Sequence, residues 1–149
     1  MSEVKKRLST IVDSPNYNRE EKLQKICNLL DQEHPHFNWT GFYFKNGDKE
    51  ELVLGPYVGE ATDHNVIPYG KGICGQVAVS GQTFVVPDVQ AQDNYLSCSV
   101  ATKAEIVVPI FKNGQNVGQI DIDSHKLDPF TSKDREMLEW LCAEIPKIL

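Results

Sequence analysis

A hairpin-forming stretch in the second half of the chain constrains the fold more than any other feature. The runs Glu105–Lys112 and Gln115–Asp123 are rich in residues that favour β-strands, and the dipeptide Asn113-Gly114 joins them. Asn-Gly suits a type I′ turn, in which both central residues have positive φ and the backbone matches the twist of the paired strands. The sequence therefore predicts an antiparallel hairpin.

Helices are predicted at both ends of the chain. Asn18 and Glu21 form a capping-box pattern ahead of apolar residues at helical spacing, and a shorter helix is expected nearer the N-terminus. Thr131 and Asp134 resemble a second capping box, followed by an apolar stripe to the C-terminus. Pro146 is expected to break the last turn of this final helix.

The middle of the chain reads as a series of short strands and loops. Strands are predicted at Phe37–Phe44, at Glu51–Val58, up to Pro68 and at Thr83–Val86, with a glycine-rich loop and short helix after Gly70 and a long surface loop from Pro87 to Lys103. Helices around a run of antiparallel strands indicate a single α+β domain over residues 1–149.

Composition excludes several classes of partner. The chain has 149 residues and a formal net charge of −6, so its field repels nucleic acid phosphates and anionic lipid. Its apolar runs fall short of the ~20 residues that a membrane-spanning helix needs. The charged N-terminus has no apolar segment behind it and does not resemble a secretory signal. We therefore expect a cytoplasmic protein that binds neither nucleic acid nor membrane.

The four cysteines divide into two kinds. Cys27 and Cys142 fall within helical apolar stripes, where a free cysteine usually packs as a small hydrophobic residue. Cys74 lies where the glycine-rich loop enters a helix, and Cys98 lies in the long polar loop. A lone loop cysteine is usually incidental, but these two leave room for a redox pair in a reducing compartment.

Aromatic residues alternate along the first predicted strand. Phe37, Trp39, Gly41 and Tyr43 should share one face, because alternate strand residues point the same way. Two aromatic side chains would then flank a position without a side chain. Core packing is the commoner role of such residues, and a small pocket with an aromatic wall is the alternative.

Three carboxylates are expected to converge on the predicted hairpin. Asp121 and Asp123 share a face of the second strand, and Glu105 begins the strand that pairs with it. Such acids usually face solvent on an edge strand, bind a cation or are held protonated. A metal site formed with His125 lacks a fourth ligand. A small cationic ligand, such as the ammonium group of an amino acid, fits the charge better.

Several strings of residues resemble the free methionine-R-sulfoxide reductases, a family with a GAF fold. They occur in the family's order and cover nearly the whole chain from Phe37 onward. The strings are Asn38-Trp39-Thr40-Gly41-Phe42-Tyr43, Leu52-Val53-Leu54-Gly55-Pro56, Ile67-Pro68, Gly70-Lys71-Gly72-Ile73-Cys74-Gly75, Asp88-Val89, Cys98, Glu105-Ile106-Val107-Val108-Pro109 and Asp121-Ile122-Asp123-Ser124.

The resemblance implies both a fold and a substrate pocket. It implies a GAF-like α+β fold, with a central antiparallel sheet of about six strands and the N- and C-terminal helices packed on it. The residues that match the family's substrate-binding positions are two aromatic residues, Trp39 and Tyr43, and three acids, Glu105, Asp121 and Asp123.

The resemblance also assigns the cysteines. Cys98 matches the catalytic cysteine and Cys74 another redox cysteine, whereas His64 stands where many members have a third cysteine. The chain thus resembles the subclass with two redox cysteines. Cys74 or an external thiol would resolve the oxidised Cys98.

The implied reaction is reduction of free methionine-R-sulfoxide to methionine. The Cys98 thiolate attacks the sulfoxide, leaving a sulfenic acid that Cys74 converts to a disulfide, and thioredoxin or a similar dithiol restores both thiols. Glu105 or Asp123 is the expected proton donor and Asp121 the expected ligand of the substrate ammonium. No metal or organic cofactor is expected, and a homodimer is one assembly that the resemblance allows.

Two alternatives belong to other functional classes. GAF domains also serve as sensor modules that bind a small molecule without converting it, because a fold alone does not establish catalysis. A redox sensor whose signal is a disulfide between Cys74 and Cys98 would share the thiol chemistry and release no methionine.

Overall fold

Six strands form a single antiparallel sheet in the computed structural model, which describes residues 1–96 and 99–149. The strands are β1 (Trp39–Lys45), β2 (Glu51–Val58), β3 (Val66–Pro68), β4 (Phe84–Val86), β5 (Ala104–Lys112) and β6 (Gln115–Ser124). Their spatial order is β3-β2-β1-β6-β5-β4, which places β1 and β6 at the centre of the sheet. The predicted α+β class and strand number are confirmed.

Four α-helices and two short 3₁₀ turns complete the described part of the chain. The helices are α1 (Glu3–Asp13), α2 (Arg19–Glu33), α3 (Gly72–Ser80) and α4 (Ser132–Glu144), and the 3₁₀ turns are Val89–Ala91 and Ile145–Ile148. Both predicted capping boxes are present, Asn18 with Glu21 at α2 and Thr131 with Asp134 at α4. Among residues 1–96 and 99–149, no helix combines the length and the apolar character needed to cross a bilayer.

The predicted hairpin is formed by β5 and β6. Their register pairs Glu105 with Asp123 and Lys112 with Gln115. At the turn Asn113 has φ 53° and Gly114 φ 77°, the two positive values that a type I′ turn requires.

The two faces of the sheet are covered by different elements. The N- and C-terminal helices α1, α2 and α4 pack on one face, against strand residues that include Phe42, Ile106 and Ile120. Helix α3 packs on the opposite face, in a second cluster with Trp39 and Val107. Alternation along each strand thus separates a mainly apolar side from the side that carries the acids.

The expectation that Phe37 shares a face with Trp39 and Tyr43 is wrong. Strand β1 begins only at Trp39, and the backbone N–H of Phe37 donates to the carbonyl of His34 at 2.9 Å in the preceding turn. The Phe37 ring stacks on His34, with centroids 4.4 Å apart, and belongs to the cluster on the opposite face. Strand alternation does not extend into this turn. The shared face of β1 therefore contains Trp39, Gly41 and Tyr43, and the two aromatic side chains with the glycine between them are called the aromatic row.

Candidate active site

The three predicted acids are brought together on the α3 side of the sheet. Asp123 pairs with Glu105 on β5, and Asp121 is one alternation away on the same face of β6. Their exposed fractions are only 1% for Asp121, 1% for Asp123 and 3% for Glu105. The alternative of a solvated edge strand is therefore wrong, because β6 lies between β1 and β5 and both of its edges are paired.

Burial has a direct electrostatic consequence for Asp121. Removal of this carboxyl from water raises its pKa above the ordinary value of 3.8, and interactions with Glu105 and Cys74 offset only part of the effect. The Asp121 carboxyl thus favours its protonated form. The sequence-based assignment of Glu105 or Asp123 as the proton donor stays a prediction, and the raised pKa makes Asp121 a further candidate.

Cys74 lies in the first turn of α3, at the predicted entry from the glycine-rich loop. Gly72, the first residue of the helix, has φ +63°, and a Cβ there would approach the Leu96 side chain to 3.0 Å. Glycine is needed for this close entry into the helix. The turn brings the buried Cys74 Sγ within 3.9 Å of Glu105 Oε2. A redox-capable thiol and two of the predicted acids thus occupy one site.

Asn94 ties the long loop to the start of α3. Its Oδ1 accepts from the Gly72 N–H at 2.9 Å, and its Nδ2 donates to the Gly70 carbonyl at 2.6 Å. Gln76 in turn donates to the Asn94 carbonyl at 3.0 Å. These bonds anchor the loop beside Cys74 just before the segment that contains the predicted nucleophile. Cys98 itself lies outside the described residues, so its assignment stays a prediction.

A small cavity lies where these elements meet, and about 10 Å³ of it is accessible to water. Two acids, the α3 thiol and two basic side chains are among its lining residues, which are His64, Ile67, Lys71, Gly72, Ile73, Cys74, Leu96, Glu105 and Asp121. His64 thus faces the same space as Cys74.

The aromatic row packs tightly beside the acids. A Cβ on Gly41 would lie 2.5 Å from the Trp39 ring, so the missing side chain leaves room for the indole. The Trp39 Nε1 donates to the Glu60 carbonyl and the Tyr43 hydroxyl donates to the His64 carbonyl, both at 2.9 Å. Trp39 and Tyr43 are core residues that do not line the described part of the cavity. Their contact with substrate remains a prediction.

The cysteines outside the site behave as predicted. Cys27 and Cys142 are buried in the apolar cluster on the opposite face of the sheet from Cys74. Burial raises the pKa of each thiol far above its ordinary value, which disfavours the reactive thiolate.

The metal arrangement considered for Asp121, Asp123 and His125 is not formed. His125 follows the end of β6 and is exposed, whereas both acids are buried in the strand. In the described part of the chain the one group able to offer three ligand atoms to an ion is Cys74, Glu105 and Asp121, whose atoms lie within 4.8 Å of one another. The same short distances would allow Glu105 and Asp121 to share a proton.

Sequence reasoning missed one buried polar residue of this face. Gln119 alternates with Asp121 and Asp123 on β6 and is fully buried. Its Nε2 donates to the backbone carbonyl of Cys74 at 3.1 Å. The spacing of two residues that groups Asp121 with Asp123 also includes Gln119. Its amide is uncharged, however, and a neutral side chain gives no sequence signal of a ligand or of acid–base chemistry.

The sheet, the helix arrangement and the buried polar face define the class of the protein. The model of the GAF domain family matches residues 18–147, and the chain belongs to this family.

Within the GAF family the chain belongs to the free methionine-R-sulfoxide reductases, which are oxidoreductases. The Escherichia coli protein of that name is 36% identical over 121 residues, covering 81% of this chain and 72% of the relative. The Saccharomyces cerevisiae reductase is 42% identical over 112 residues, covering 74% of this chain. That alignment spans 62% of the yeast protein, less than two thirds of its length.

A solved structure supports the same placement. The free methionine-R-sulfoxide reductase of Neisseria meningitidis, described in complex with its substrate, is 34% identical, with a TM-score of 0.89. The match covers 97% of this chain and 85% of that chain.

Proposed function

We propose that this protein reduces free methionine-R-sulfoxide to methionine with Cys98 as the nucleophile. The observation that carries the proposal is the convergence of Cys74, Glu105 and Asp121 on one small cavity at the start of α3, where Asn94 is anchored four residues before Cys98 in the sequence. Relatives named for this reaction, one of them described in complex with its substrate, support the choice of substrate.

The buried acids supply the proton that the reaction requires. A sulfoxide oxygen leaves more easily when it is protonated, and an acid with a raised pKa keeps its proton to a higher pH than an ordinary carboxyl does. Asp121 meets this requirement and lies close to Glu105. We assign proton donation to this carboxyl pair, which holds one proton more readily than two negative charges.

The remaining acid then binds the substrate ammonium. Asp123 lies opposite Trp39 in the sheet, so an amino acid beside it would also reach the aromatic row. Charge neutralisation between an ammonium and a buried carboxylate offsets part of the desolvation cost of both groups. Trp39 and Tyr43 are the residues expected to pack against the apolar part of the substrate.

The thiol chemistry balances without a metal or an organic cofactor. Cys98 takes the sulfoxide oxygen and becomes a sulfenic acid, while the substrate sulfur is reduced to the thioether of methionine. The Cys74 thiolate then attacks the Cys98 sulfur, forming an S–S bond as the oxygen leaves as water. A dithiol of the thioredoxin type reduces this disulfide by exchange. Such a cycle requires a reducing compartment, which agrees with the expected cytoplasmic location.

Cysteine variants test the proposal. Cys98→Ser should release no methionine, whereas Cys74→Ser should release about one equivalent per chain and then stall in the presence of thioredoxin. The matched control is Cys27→Ala on the opposite face, which should continue to turn over. Continuous turnover by both active-site variants would contradict the assignment. Binding of the sulfoxide without methionine release by the wild-type protein would instead favour a GAF sensor module.

A further inference from the structure

Gln119 connects the centre of the sheet to the helix that carries Cys74. Its backbone lies on β6, opposite Tyr43 on one side and Pro109 on the other. Its side chain is fully buried, and the Nε2 atom donates to the Cys74 carbonyl at 3.1 Å. A hydrogen bond from the sheet therefore reaches the residue that bears the thiol.

Stability does not explain why an amide occupies this position. Among residues 1–96 and 99–149, the Gln119 Oε1 atom has no hydrogen-bond partner. A buried acceptor without a partner is destabilising, and an apolar side chain of similar size would avoid that penalty. The Nε2 bond to the Cys74 carbonyl is the contact that only an amide provides here.

A second amide from β6 holds the other end of the same helix. Asn116 Nδ2 lies 3.2 Å from the Val77 carbonyl and 3.3 Å from the Ala78 carbonyl, and donates to both. Attachment of α3 to the sheet is thus shared between two side chains. Asn116 holds the end of the helix away from the cavity, and Gln119 holds the end next to it.

We propose that Gln119 is a positioning residue for Cys74. Its amide fixes the backbone of Cys74 and so sets the direction from which this thiol reaches the oxidised Cys98. The inference rests on the proposed function, in which Cys74 forms the disulfide. Attack geometry is sensitive to displacements of about 1 Å, which can change a rate by about a hundredfold. Loss of the Gln119 bond should therefore slow disulfide formation and leave the first chemical step unchanged.

The test separates the two thiol steps. Reduced wild-type protein, Gln119→Met and the control Asn116→Leu are each mixed with one equivalent of free methionine-R-sulfoxide, without reductant. Methionine release measures the first step, and alkylation of remaining thiols followed by mass spectrometry measures the Cys74–Cys98 disulfide. A parallel series with hydrogen peroxide oxidises Cys98 directly to the sulfenic acid, releasing hydroxide, and does not depend on sulfoxide reduction.

The expected result is specific to one variant and one step. Gln119→Met should release methionine at the wild-type rate but form the disulfide about tenfold or more slowly with either oxidant, whereas Asn116→Leu should match the wild type in both steps. Equal disulfide rates in Gln119→Met and wild type, or equal slowing in Asn116→Leu, would overturn the inference. Absence of methionine release from the wild type, with normal disulfide formation from peroxide, would contradict only the proposed substrate.

A second variant covers the case in which Gln119→Met does not fold. Gln119→Glu keeps the length of the side chain, donates to the Cys74 carbonyl when protonated and cannot donate when ionised. Its disulfide rate, divided by the wild-type rate at the same pH, should fall as pH rises. A ratio that stays near one across the range would overturn the inference, as would a wild-type protein in which peroxide forms no Cys74–Cys98 disulfide.

Discussion

Asp121 is an acid whose environment in the folded protein differs strongly from water. It is buried at the centre of the sheet, and burial raises its pKa above 3.8. Because the folded state binds this proton more tightly than the unfolded chain does, Asp121 favours folding below pH 3.8 and loses that contribution as pH rises through its raised pKa. The residue proposed for proton donation therefore destabilises the fold at neutral pH.

The variant Asp121→Asn tests this electrostatic account. An amide of the same shape cannot ionise, so the variant should be more stable than the wild type near neutral pH, and its advantage should shrink as pH falls toward 3.8. Urea denaturation at a series of pH values measures the difference. Glu105 and Asp123 are present in both proteins. A stability difference that does not change with pH would contradict a raised pKa for Asp121.

At the scale of elements, helices and strands on the two sides of the sheet have separate tasks. Helices α1, α2 and α4 bury the apolar face, whereas α3 and the loop around Asn94 build the cavity on the other face. Changes in the capping of α2 should consequently lower the free energy of unfolding without changing the rate of the reaction.

The variant Asn18→Ala measures this separation. Loss of the Asn18 side-chain bond to the Glu21 N–H, 2.9 Å long, should lower the free energy of unfolding by about 1 kcal/mol. The rate of methionine release by the folded variant should equal that of the wild type. Thermal unfolding and a single-turnover assay give the two quantities, and a large loss of activity below the unfolding temperature would argue against independent tasks.

Local sequence signals identified most elements but not how they are arranged. The Asn113-Gly114 turn and the two capping boxes were readable because each depends on neighbouring residues. The edge-strand reading of the acids failed because strand order is set by contacts distant in sequence. Phe37 was misplaced because a strand boundary depends on the turn that precedes it, and the bond from Gln119 to Cys74 joins elements far apart in the chain.

The whole molecule combines a net charge of −6 with a small cavity between the sheet, α3 and the loop around Asn94. The proposed pairing of Asp123 with a free ammonium group selects the free amino acid chemically, because a peptide-bound residue has no such group.

Selectivity for the free amino acid follows from the proposed binding of its ammonium group. The rate on free methionine sulfoxide should exceed the rate on the same residue inside a blocked peptide by about a hundredfold or more, since the peptide offers Asp123 no ammonium group. Methionine formation from both substrates at equal concentration measures the ratio. Equal rates would exclude a closed, ammonium-binding pocket.

The most direct test of the central claim follows the two epimers of the substrate. The reduced protein is incubated with free methionine-R,S-sulfoxide, thioredoxin, thioredoxin reductase and NADPH, and both methionine and the remaining epimers are quantified by chiral chromatography. We expect the R epimer to disappear with formation of an equal amount of methionine, while the S epimer remains. Folded, fully reduced protein that leaves both epimers untouched would contradict the assignment of this chain as a free methionine-R-sulfoxide reductase.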